Sequence, residues 1–177
     1  MSQKFEQSKT SGAHFQLSKM VGEWKGTTKT WFDPAKLEDE SPINGTMRFI
    51  LDDRFIIHEY HSRFGDKPIT GMAIYGYNLD LQKFQCSWID TFHNGSAIMF
   101  SQGNKGDAHI NVLGSYAYIT AEVEQHWGWR THIEMVSDVE MVITAFNISP
   151  DGQETKATET NYRKVKPNSL QKGERTT

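Results

Sequence analysis

Cysteine is almost missing from this chain: among 177 residues there is one, Cys86. No internal disulfide can brace the fold. Cys86 lies in the apolar-rich run 84 to 92 with no histidine following closely, so it is expected to serve as a small buried hydrophobe rather than a reactive thiolate. Long apolar runs are absent as well. No stretch approaches the roughly 20 apolar residues of a membrane helix, and residues 1 to 12 are polar, without the apolar core of a secretion signal. A cytoplasmic location with no membrane partner is therefore expected. Positive charge is scarce: 19 Lys and Arg stand against 22 Asp and Glu, a net charge of -3. Such a chain has no cationic field to attract a polyphosphate, which argues against a nucleic-acid partner. Helical periodicity is also missing, since no window after residue 22 keeps it for three turns.

What is present is β-forming. Aromatic residues make up 12% of the chain, and together with many Thr, Ile and Val they fit a pleated, half-buried surface. Residues 1 to 12 and 166 to 177 are polar or charged without periodicity and are expected to be disordered termini. One domain is expected over residues 13 to 165. Phe15, Leu17, Met20 and Val21 suit a short helical turn that could plug one end of a barrel, and Gly22 ends it.

Extended runs follow at 22 to 32, 43 to 51, 54 to 64, 69 to 78, 82 to 92, 96 to 102, 107 to 113, 116 to 125, 129 to 137, 139 to 148 and 154 to 165. They are separated by turn chemistry such as Leu51-Asp52-Asp53-Arg54, Gly65-Asp66-Lys67-Pro68, His93-Asn94-Gly95 and Ser149-Pro150-Asp151-Gly152. Some ten sequential strands without helices must close or stack, because a wide open sheet leaves exposed edges. The short connections favour an all-β, closed, antiparallel up-and-down barrel over a sandwich.

In the first strand, alternation puts Gly22, Trp24, Gly26, Thr28 and Thr30 on the expected inner face, with Trp24 filling a narrow barrel end. This Gly-x-Trp after a short helix is similar to the lipocalin-like (calycin) signature. The chain further resembles the bacterial domain-of-unknown-function family 1579 (DUF1579) in Met20-Val21-Gly22-Glu23-Trp24, Asp53 to Tyr60, Gly71 to Asn78, Lys83-Phe84, Trp88-Ile89-Asp90 and Tyr162-Arg163. That resemblance implies a barrel in which an Arg of the last strand stacks across the first-strand Trp, and Arg163 is the matching residue. The guanidinium is then expected within about 6 Å of the Trp24 ring.

The candidate ligand-binding residues are Glu59, His61, Tyr75, Trp88 and Asp90. Phe55, Ile57, Glu59, His61 and Arg63 share one face of the third strand, and Phe84, Cys86, Trp88, Asp90 and Phe92 share one face of the fifth. If both faces point inward, a few polar groups converge in an aromatic cavity, as a small-molecule site requires. If they point outward, these are ordinary solvent-facing residues. Seven histidines are scattered without ligand spacing, so neither a metal nor another cofactor is expected. No nucleophile elbow, phosphate loop or His-Glu-x-x-His occurs, and no catalytic residue is assigned. Trp31, Trp127 and Trp129 fit a homodimer interface, or Trp127 and Trp129 alone form a lid or a packed corner at the barrel mouth.

Three functions remain open on the sequence: binding of a small, largely apolar molecule in the lumen, acid-base catalysis by lumenal Glu59, His61 and Asp90, or a packed barrel serving a structural or partner-binding role. A cavity of at least about 300 Å³, the lower end of ordinary ligand sites, would separate the first two from the third.

Overall fold

The structure is a computed structural model that describes residues 2–121 and 123–166. Two helices, α1 (Gln3–Ser11) and α2 (Ala13–Lys19), precede ten strands: β1 (Gly22–Asp33), β2 (Lys36–Ile50), β3 (Phe55–Phe64), β4 (Lys67–Asn78), β5 (Lys83–Asp90), β6 (Met99–Gln102), β7 (Ile110–Ile119), β8 (Glu124–Ser137), β9 (Glu140–Ile148) and β10 (Glu154–Lys164). Each strand pairs antiparallel with its neighbours in sequence, and β10 returns to β1, so the sheet is a closed barrel without a free edge strand.

The turns follow from local side chains. Asp33 Oδ1 accepts a hydrogen bond from the Ala35 amide at 2.9 Å, and Asn78 Oδ1 accepts from Asp80 and Leu81 at 3.1 and 3.0 Å, so both hairpins are closed by Asx turns. Between β2 and β3, Leu51, Asp52 and Asp53 all take positive φ of 52 to 63°, a conformation that short polar Asp side chains tolerate better than most.

One barrel end is closed. Leu17 of α2 and Met20, which caps it, pack with Trp24, Met47, Ile56, Phe84, Ile133 and Met141 into a continuous apolar core. Trp24 donates from Nε1 to the Met20 carbonyl at 2.8 Å, which ties the plug to the first strand. The cation against Trp24 is Lys164, with Nζ 4.9 Å from a ring centroid of the indole and 3.0 Å from the Lys19 carbonyl that accepts its proton. Arg163, expected in that place, lies outside the barrel and pairs with Glu140 at 2.6 Å. Tyr162 and Lys164 are the inward positions of β10, and alternation leaves Arg163 facing solvent.

Two other expectations are corrected. Residues 3–11 are helical, not disordered: Ser2 caps α1, the Phe5 ring packs edge-on against His14 at 4.8 Å, Arg54 covers it at 4.5 Å, and Lys9 pairs with Asp53 at 3.0 Å. One buried aromatic and two cationic side chains anchor a segment whose composition is otherwise polar. Second, the runs 107 to 113 and 116 to 125 form one strand, β7. Gly114 is there because β6 comes close, since an added Cβ would lie 2.3 Å from Ser101 Oγ. The turn comes later, where the Thr120 amide donates to the Val123 carbonyl at 2.8 Å. From residue 167 onward the expected tail lies outside the described residues.

A mixed cavity at the open end

The far end of the barrel, where β1, β3 and β5 finish and β2, β4 and β10 begin, holds a cavity of about 100 Å³. It is not solid, but it does not reach the about 300 Å³ set above for the two pocket readings, so a drug-sized ligand does not fit inside and only a guest of about one ring is left to them. Its walls differ in chemistry. β1 and β10 supply hydroxyls from Thr28, Thr30, Thr158 and Thr160, two of which bond to each other, Thr160 Oγ1 donating to Thr28 Oγ1 at 2.9 Å. The opposite side is aromatic, with Trp88 of β5 stacked on Trp129 of β8 at 5.2 Å and 26°.

Tyr75, Trp88 and Asp90, three of the five residues singled out on the sequence, point inward, and Tyr75 and Trp88 line the cavity. Glu59 and His61 do not join them. The inward residues of β3 are Ile56, His58, Tyr60 and Ser62, so Glu59 and His61 face out, where Glu59 meets Arg48 at 3.4 Å and His61 meets Thr70 at 3.2 Å. A one-residue change of parity moves a whole face to the other side of the sheet, so the acid-base set Glu59, His61 and Asp90 is not formed in the lumen. Glu59 and His61 instead border a more open recess of about 500 Å³ on the outer wall, which Asp90 also lines, beside Met72, Ile89 and Ile98.

Asp90 is fully enclosed and every oxygen is occupied. Its Oδ1 accepts from the Phe92, His93 and Asn94 amides at 3.2, 2.6 and 3.0 Å, folding the β5–β6 connection back over the mouth. Its Oδ2 accepts from His93 Nδ1 at 2.5 Å and from the Tyr60 hydroxyl at 3.4 Å. The Tyr60 oxygen in turn accepts from Trp88 Nε1 at 2.9 Å. Burial opposes the charge on Asp90, but the His93 side chain and the surrounding amides outweigh it and hold the carboxyl below its ordinary range. The result is an ionised carboxylate that orients a histidine.

His93 lines the cavity with its ring 5.4 Å from Trp88, 5.6 Å from Trp129 and 4.9 Å from Phe92. Sequence reasoning took it for turn punctuation, although an aspartate at a strand end three residues before a histidine is a local signal for such a pair. Deeper in the lumen, His58 Nε2 meets the Tyr162 hydroxyl at 3.2 Å, and burial lowers the His58 pKa to about 3, so it is neutral. Burial likewise raises Tyr60, Tyr75 and Tyr162 above the usual phenol value and pushes the Cys86 thiol up to about 12. The lumen is thus a set of neutral hydroxyls and rings around the part-buried Asp90–His93 pair. Gly71 makes room for it, because the Tyr60 ring lies directly over its backbone.

Among the described residues no group of three or more His, Cys, Asp or Glu is placed to hold a metal ion, and no helix is long and apolar enough to cross a membrane.

No curated protein sequence matches this chain. Several solved structures are similar in fold, among them two with TM-scores above 0.5. Rv2717c from M. tuberculosis superposes with a TM-score of 0.56 at 9% identity, over 87% of this chain and 98% of that one. The S-type phycobiliprotein lyase CPES from Guillardia theta does so with a TM-score of 0.54 at 11% identity, over 94% and 99%. At these identities the likeness concerns the barrel alone. The sequence itself matches the profile of one family, described as a protein of unknown function (DUF1579), over residues 9–164, and with the signature strand, the plug and the ten-stranded closure in place, the chain belongs to that family.

Proposed function

We propose that the open end of the barrel binds a small, largely apolar molecule about the size of one ring, packed beside the stacked Trp88–Trp129 pair with its polar edge towards His93 and the threonine wall. The observation that carries this reading is the juxtaposition of a stacked indole pair with an oriented imidazole around one cavity. Apolar cavities of about 150 Å³ take up benzene. A lumen of about 100 Å³ therefore holds most of a ring and leaves a substituent in the mouth, which sets an upper limit on the buried part of the ligand.

Fluorobenzene is a suitable probe, observed by ¹⁹F NMR. Its resonance is expected to broaden with the wild-type protein and to stay sharp with Ala145→Phe, which fills the lumen beside Trp129. Equal broadening with both proteins, or none with either, would end the reading. The 2.5 Å contact between Asp90 and His93 favours a second reading, proton transfer to or from the bound molecule. It requires that a bound compound be recovered chemically altered by wild type and unaltered by His93→Phe.

A further inference from the structure

The Asp90–His93 pair sets the polarity of this site. An ionised carboxylate can only accept, so the 2.5 Å contact puts the imidazole proton on Nδ1. In the neutral ring Nε2 is then a lone-pair acceptor, the same logic by which a carboxylate fixes the tautomer of a histidine elsewhere. The ring cannot readily turn over. It is flanked by Trp88, Trp129 and Phe92 with 24% of its side chain exposed, and Asp90 is itself held by three backbone amides and by the Tyr60 hydroxyl. Nε2 has no hydrogen-bond partner among the described residues, and the ring lines the cavity. A fixed acceptor on the wall of an aromatic cavity is a feature that water or a ligand donor must satisfy.

We infer that the lumenal ligand is a planar molecule carrying a neutral hydrogen-bond donor, a phenol-like O–H or an azole-like N–H, and that His93 Nε2 accepts this hydrogen and selects for it. The inference rests on the binding reading above and adds the chemical class. It makes Asp90 a positioning residue: it touches no ligand and acts through the tautomer of His93. Ligands whose edge offers only acceptors would face the lone pair of Nε2 and be disfavoured.

The test compares phenol with fluorobenzene, near-isosteres that differ in the donor, by ¹⁹F competition at about pH 8, above the ordinary imidazole range. Phenol is expected to displace fluorobenzene with about tenfold tighter affinity, the worth of one net hydrogen bond. His93→Phe is expected to abolish the preference, read as the ratio of the phenol and fluorobenzene affinities of that variant. Asp90→Asn, whose amide can donate to Nδ1 and move the ring proton to Nε2, is expected to shrink or reverse that ratio. If fluorobenzene binds wild type and phenol binds no better, the donor inference is wrong and the binding reading stands. Retention of the tenfold preference in His93→Phe would also overturn it. If neither probe binds, the binding reading falls, and this inference falls with it.

Discussion

Replacing His58 by Phe should make the barrel less sensitive to acid while making it weaker at neutral pH. His58 is buried at 4% exposure and its pKa falls from 6.5 to about 3. Below pH 6.5 the unfolded chain takes up a proton that the folded chain refuses, so the unfolded state binds more protons and stability declines as pH falls towards about 3. Each pH unit in that window removes about 1.4 kcal/mol. Phe removes this slope but leaves the buried Tyr162 hydroxyl without its 3.2 Å partner, at about 1–3 kcal/mol. With about 2 kcal/mol lost at pH 7.5, the two stability curves should meet near about pH 5, and the variant should be the more stable below that. Urea unfolding followed by tryptophan fluorescence measures both proteins across the range, and the other titrating groups, His14 among them, cancel in the difference. A difference that stays constant from about pH 7.5 to pH 4.5 would refute the reasoning.

Other consequences are equally specific. Lys164→Ala should cost about 1–3 kcal/mol through the lost Trp24 contact and the freed Lys19 carbonyl, whereas Arg163→Ala, an exposed partner of Glu140, should change urea stability by no more than about 0.5 kcal/mol. Gly71→Ala would bring a Cβ to 2.1 Å from the Tyr60 ring, and the forced shift should cost about 1–3 kcal/mol in urea unfolding and perturb the Trp88 indole proton in NMR. Phe5→Ala should release α1 from the closed end, seen as loss of amide protection confined to residues 3–11 while barrel protection persists.

The barrel was legible because its evidence is redundant: every hairpin carries its own turn residues, and the inward face of β1 reads directly from Gly22, Trp24 and Gly26. The parity of β3 was harder, since Phe55 and Ile57 make the outer face look apolar at its start. Yet Glu59 and Arg63 lie on that face and no Asp, Glu, Lys or Arg lies on the other, and charge is the better guide to which side meets water. Arg163 and Lys164 are adjacent, so only strand parity decides which reaches Trp24. The His93 site could not be read from periodicity at all, because it depends on a loop folding back through three amides onto Asp90. The helical N-terminus was hidden by composition, since its order comes from tertiary contacts of Phe5 and Lys9 rather than from an apolar stripe.

The central claim is that the open end, and not the plugged end or the outer recess, is the binding site, and the indole N–H resonances of the protein test it directly. Trp88 and Trp129 line the cavity, while Trp24 is buried at the plug and serves as an internal control. On titration with phenol, the Trp88 and Trp129 signals should move together and the Trp24 signal should stay. Movement of Trp24 instead, or shifts confined to the amides of Met72, Ile89 and Ile98 on the outer wall, would contradict the account.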